Sequence, residues 1–131
     1  MEVLPHFWIT FYNENLNIIK DKKINTIIHL SKFKEFIKKN NIEELRIPID
    51  YNNQHSYEEQ NNIMYQNLFD ITNYIHDKII NNNNILLIGE IKKQDIDTII
   101  IAYFIRYGKL NITNSIIFLK TKKDDIFYPK C

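Results

Sequence analysis

A chain of 131 residues with 44% hydrophobic and 13% aromatic content is long enough for one domain with one sizeable core. Its 17 basic and 16 acidic side chains leave a net charge of +1, so no basic excess exists to capture nucleic acid or an anionic membrane surface. The single cysteine, Cys131, excludes a disulfide framework, and no apolar run approaches a membrane span.

The sequence predicts neither a cleaved leader nor an anchor, and therefore an intracellular, cytoplasmic setting. Abundant Ile, Asn and Lys with scarce Gly, Ala and Pro is a footprint of AT-rich coding, as in some viruses and protists. A viral source would place the protein in host cytoplasm or virion.

In chain order, Val3 to Phe11 suits one or two short strands broken at Pro5. Asn15 to Lys23 reads as a short helix with Leu16, Ile18 and Ile19 inward, and Ile24 to Leu30 as a buried β-branched strand. Ser31 is placed to cap a helix over Lys32 to Lys39. Leu45 to Ile49 is a further strand, and the capping-box form Ser56-Tyr57-Glu58-Glu59 opens a long helix carrying Ile63, Leu68, Ile71, Ile75 and Ile79. Asn81 to Asn84 is a loop before the all-apolar strand Ile85 to Ile88. Ile96 to Tyr107 is a nearly all-apolar helix with Gly108 as its C-cap, and Thr113 caps a last helix reaching about Lys123.

Strands alternating with helices around an apolar central strand define an α/β fold. The sheet is expected to be central and mostly parallel, of about four to five strands flanked by helices.

The run Asn84-Ile85-Leu86-Leu87-Ile88-Gly89-Glu90-Ile91-Lys92-Lys93-Gln94-Asp95-Ile96, followed by Ala102-Tyr103-Phe104-Ile105, resembles the phosphate-binding loop and following helix of the dual-specificity protein phosphatases. The resemblance extends over the whole chain as a single domain, 1–131, lacking the final helix many members carry. It implies that Ile88 stands where the family has His, Gly89 where it has the nucleophilic Cys, and Lys92 at the loop Gly. Asp95 then falls at the phosphate-gripping Arg and Ile96 at the assisting Ser/Thr, while Asp50 is the acid nearest the general-acid position, about one place early.

The chemistry of those replacements points one way. A thiolate is the attacking species in such an enzyme, and Gly89 has no side chain. Asp95 puts a carboxylate, stabilised as a helix cap, where a guanidinium fork would hold phosphate, and like charges about 4 Å apart repel by roughly 1 to 4 kcal/mol. Lys92 and Lys93 offer a partial offset as flexible point charges and are the candidate ligand-binding pair.

His6, His29, His55 and His76 lack metal-ligand spacing, so no metal and no cofactor is expected. Cys131 is not placed to serve as the nucleophile.

The expectation is thus a pseudophosphatase, not an enzyme, acting through protein contacts as scaffold, competitor or dimer subunit. Its partner would be a phosphatase substrate or a second copy, with no nucleic acid and no membrane. The alternatives are a module binding a phosphopeptide, an RNA 5′ phosphate or an inositol phosphate, and a residual tyrosine/serine phosphatase.

Overall fold

The structure, a computed structural model, describes residues 1–49, 57–90 and 95–122; within 57–65 it describes the backbone and the Asn62 side chain. Its elements run β1 (Glu2–Leu4), β2 (Phe7–Phe11), α1 (Asn17–Asp21), β3 (Thr26–Leu30), β4 (Glu43–Ile47), α2 (Tyr57–Ile80), β5 (Ile85–Gly89), α3 (Asp95–Tyr107) and α4 (Ile112–Lys120). One five-stranded sheet has the order β1-β2-β5-β3-β4. β5 lies between β2 and β3 and pairs parallel with both, β3 pairs parallel with β4, and only β1 runs antiparallel. The fold class is the expected one.

Side-chain alternation along each strand builds two apolar layers. Phe7, Ile9, Ile28, Leu30, Ile85 and Leu87 face α2 and α3, where Ile71, Ile75, Ile99, Ile100 and Phe104 meet them. Trp8, Ile27, Leu86 and Ile88 face the other way, onto Ile19 of α1, Ile24 and the half-buried Leu16, Ile18, Ile37 and Ile42. Every residue of β5 is buried, which is why that strand reads as a continuous apolar run. Each fully buried Ile or Leu contributes roughly 1.5–3 kcal/mol.

Four local expectations change. Residues 32–39 do not form a helix. Ser31 does act as a cap, its Oγ accepting from the backbone N–H of Phe33 and of Lys34 at 3.2 Å each. The turn stops there because other groups take the backbone that a helix would need. Glu44 accepts from the N–H groups of Ile37 and Lys38, Arg46 donates to the carbonyls of Ser31 and Lys34, and Lys38 turns left-handed at φ 57°.

The last helix is capped by Asn111, whose side chain accepts from Asn114 N–H at 2.7 Å, two residues before the expected Thr113. At the end of α3 the left-handed residue is Lys109, φ 60°, and not Gly108. Gly108 is needed for proximity, since a Cβ there would lie 2.7 Å from the Phe104 carbonyl.

The strand expected at Leu45 to Ile49 is Glu43–Ile47, with Ile49 buried just beyond it. Among the described residues, no helix is long and apolar enough to cross a membrane.

Candidate functional site

Parallel strands all end on the same edge of a sheet, and ligands of open α/β sheets bind outside that edge. Here it is formed by the ends of β2, β5 and β3, with Phe11 opposite Gly89 and His29 opposite Ile88. Tyr12 N–H donates to the Gly89 carbonyl at 3.0 Å and extends the pairing one residue past β2. α3 returns to the same edge, so its first turn meets the end of β5.

Of the residues singled out in the sequence, Gly89, Asp95 and Ile96 are brought together here, and Glu90 follows Gly89 half-buried. Lys92, Lys93 and Asp50 lie outside the described residues, as do Cys131 and His55.

The contact between Gly89 and Ile96 is close. A Cβ added to Gly89 would find Ile96 Cδ1 at 3.3 Å, Ile96 Cγ1 at 3.4 Å and Leu30 Cδ1 at 3.4 Å. Ile96 is itself 2% exposed, so a Cβ at residue 89 would press on buried hydrocarbon that must give way by a few tenths of an ångström.

Asp95 behaves differently from the cap that the sequence implied. Burial pushes its carboxyl up to about 6, so loss of water disfavours the anion. Asp97, two residues on, is buried, whereas Asp95 is half-buried.

Beside this apolar closure lies a polar cluster that the sequence pointed to only through a histidine at the edge of the core. His29 is 1% exposed and sits between Tyr12 and Glu44. Tyr12 Oη lies 2.8 Å from His29 Nδ1, and Glu44 Oε1 lies 2.7 Å from His29 Nε2. Burial lowers the His29 pKa against the raising influence of Glu44, so the ring is neutral near pH 7.

An ionised carboxylate only accepts, which fixes the tautomer: Nε2–H donates to Glu44 and Nδ1 accepts from the Tyr12 hydroxyl. Burial raises Glu44, but the Lys38 N–H, His29 and Ile37 N–H bonds outweigh it and hold the carboxyl below its usual value. Burial likewise raises the Tyr12 phenol. Phe36 stacks on His29 at 5.1 Å, and Arg46 stands 4.7 Å over Phe36. A Glu-x-Arg pair on a strand beside a buried His was the available sequence signal, because alternate residues share a face.

Among the described residues, no group of three or more His, Cys, Asp and Glu is placed to hold a metal. A polar cleft of about 360 Å³ opens at the opposite end of the sheet, lined by residues such as Asn25, Thr26, Glu43, Lys78 and Asn83.

No family model and no curated protein matches the chain. Solved structures do. The crystal structure of DUSP15 is similar with a TM-score of 0.78 and 21% identity, covering 99% of this chain and 79% of that one. The human tyrosine phosphatase-like serine/threonine/tyrosine-interacting protein is similar with a TM-score of 0.74 and 14% identity, over 98% of this chain and 86% of that one. OH1 from the Orf virus, a tyrosine phosphatase, is similar with a TM-score of 0.66 and 8% identity, over 95% and 72%. The chain therefore has the dual-specificity phosphatase fold. At these identities the likeness defines the fold, and the chemistry rests on this chain's own residues.

The same structures correct one expectation. Gly89 and Asp95 imply that the chain is not an enzyme, whereas proteins sharing its fold, such as OH1 from the Orf virus, are phosphatases. The physical reason is that Gly89 and Asp95 alter two side chains, whereas the fold that carries them is shared with phosphatases. Gly89 removes a thiol at one position, and that alone does not establish inactivity.

Proposed function

We propose that this chain is a phosphatase-fold module whose main work is to hold a protein partner, as a scaffold, as a competitor for a phosphatase's partner, or as one half of a dimer. The supporting observation is the filled end of β5. Ile96 and Leu30 lie 3.3 and 3.4 Å from the position that a Cβ at residue 89 would occupy, so the root of any side chain there meets core packing. Such a module acts through its surface.

The test is cross-linked affinity capture from the source cells with the full chain, alongside phosphate release from an aryl phosphate by the same preparation. A partner retained in fixed stoichiometry is expected. No retained partner, together with phosphate release abolished in Asp95→Asn or Glu90→Gln, would overturn the reading.

Asp95 favours one second reading, phospho-ligand binding that strengthens in acid. With its carboxyl at about 6, the charge opposing an anion is neutralised below that pH. Phosphotyrosine peptide titrated at pH 5 and pH 8 tests it, and equal affinity at both would end it.

A further inference from the structure

The segment from Ser31 to Ile42 has no regular secondary structure, yet its backbone is held by two charged side chains from one strand. Glu44 takes the N–H groups of Ile37 and Lys38 at 2.9 Å each, and Arg46 takes the carbonyls of Ser31 and Lys34 at 2.6 and 2.5 Å. Glu44 is in turn fixed by His29, and its side chain is 5% exposed. A solvated connection would not require buried ionisable groups to shape it.

What this frame presents outward is chemically uniform. Lys32, Lys34, Lys38 and Lys39 are exposed, with Glu35 as the one acidic side chain between Ser31 and Ile42. Phe33 stands among them, 63% exposed, with Lys32 Nζ 5.7 Å from its ring centroid. Lys34 Nζ lies 5.4 Å from the ring of Tyr12, which places this surface beside the end of β5.

An exposed aromatic surrounded by cations has the make-up of an interface anchor with a charged rim. The charge selects the partner. Arg46, the one guanidinium here, is committed to backbone carbonyls, so the outward cations are all lysines. These are flexible point charges that pair with carboxylates one at a time.

We propose that residues 32–39 form a docking surface for an acidic peptide segment of a protein partner, with Phe33 received by an apolar residue of that segment. This rests on the protein-contact reading above and gives that reading a location.

The probe is a fluorescein-labelled peptide of glutamates flanking a central Leu-Phe pair, titrated by anisotropy against the full chain. Binding is expected that weakens as salt rises, because exposed charges are screened beyond about 8 Å at physiological ionic strength. Phe33→Ala and the pair Lys34→Glu, Lys38→Glu should each weaken it by about tenfold or more. These positions are exposed, so the fold should survive, and circular dichroism checks it.

Absence of binding, or binding unmoved by either variant, overturns the proposal. Equal or tighter binding to polyuridylate, or to phosphatidylserine–phosphatidylcholine vesicles, overturns it in favour of a general polyanion surface. Partner capture with the double charge reversal separates the two levels. A partner retained by both chains sinks this surface and leaves the contact reading standing, whereas one lost only from the variant supports both. No partner with either chain sinks the contact reading itself.

Discussion

The ends of β3 and β5 lie side by side, His29 opposite Ile88, yet they treat buried charge in opposite ways. Beside β3, each charged or polar group of the cluster meets a partner: Tyr12 to His29, His29 to Glu44, Glu44 to two backbone N–H groups, Arg46 to two carbonyls. At the end of β5, the center of the edge is closed with Ile96 and Leu30, and the Asp95 carboxyl is desolvated until its pKa reaches about 6. The first region stabilises through satisfied polar contacts, and the second through hydrocarbon packing at some electrostatic cost. One sheet edge thus carries a shaped, charged surface next to a strand end packed against Ile96 and Leu30.

The largest effect should come from emptying the polar side. Glu44→Ala leaves His29 Nε2–H and the Ile37 and Lys38 N–H groups without their acceptor, and should destabilise by about 3 kcal/mol. Urea unfolding measures this, and a loss under about 1 kcal/mol would show that water replaces the carboxylate easily.

On the packed side, Gly89→Cys forces a Cβ against Ile96 and should cost about 1 to 3 kcal/mol. The same change should cost less in an Ile96→Ala background, and additive losses would mean that the two side chains do not compete for space.

Asp95→Asn separates the regions by pH. A raised folded pKa means that the native state holds the proton more tightly, so the carboxyl's destabilising contribution is absent below its ordinary value of 3.8. It grows as pH rises and is complete above about 6. Asn should therefore stabilise by about 1 to 2 kcal/mol at pH 8, part of the gain being offset by the lost helix-terminus interaction, and by nothing near pH 3.

The polar side slopes the other way. Glu44 contributes stability above its ordinary value of 4.5 that is lost as pH falls through its lowered folded value. His29, held neutral, loses stability as pH falls below 6.5. Thermal melts of the Asn variant should thus fall more steeply with acid than those of the native chain.

The smallest effect is Lys38→Gly. Relief of the left-handed backbone at φ 57°, less the added freedom of the unfolded chain, should stabilise by about 0.5 kcal/mol. A loss instead would mean that the Lys38 side chain contributes more than its backbone strain removes.

Sequence pattern revealed β5 and α3 well because both are buried on almost every side, leaving runs of Ile and Leu that no surface element shows. The helix expected over Lys32 to Lys39 failed for a reason no local window contains. The groups that take its backbone, Glu44 and Arg46, come later in the chain and arrive only when β4 pairs with β3. At the candidate site, the sequence placed Gly89, Asp95 and Ile96 in one neighbourhood. That Ile96 lies within 3.3 Å of a Cβ at residue 89, and that burial raises Asp95, depend on packing distances and on exclusion of water.

The position of β5 also bears on how the chain is made. Phe7 and Thr26 both pair with Ile85, so the two early strands β2 and β3 touch only through a strand that comes long after them. During synthesis at about 5–20 residues per second, β2 and the β3–β4 pair stay open-edged for seconds until residue 89 emerges. Contacts so distant in sequence slow folding, and exposed strand edges invite pairing with other chains. The ribosome-bound chain should therefore be most prone to aggregate, and most in need of a chaperone, in the interval before its central strand appears.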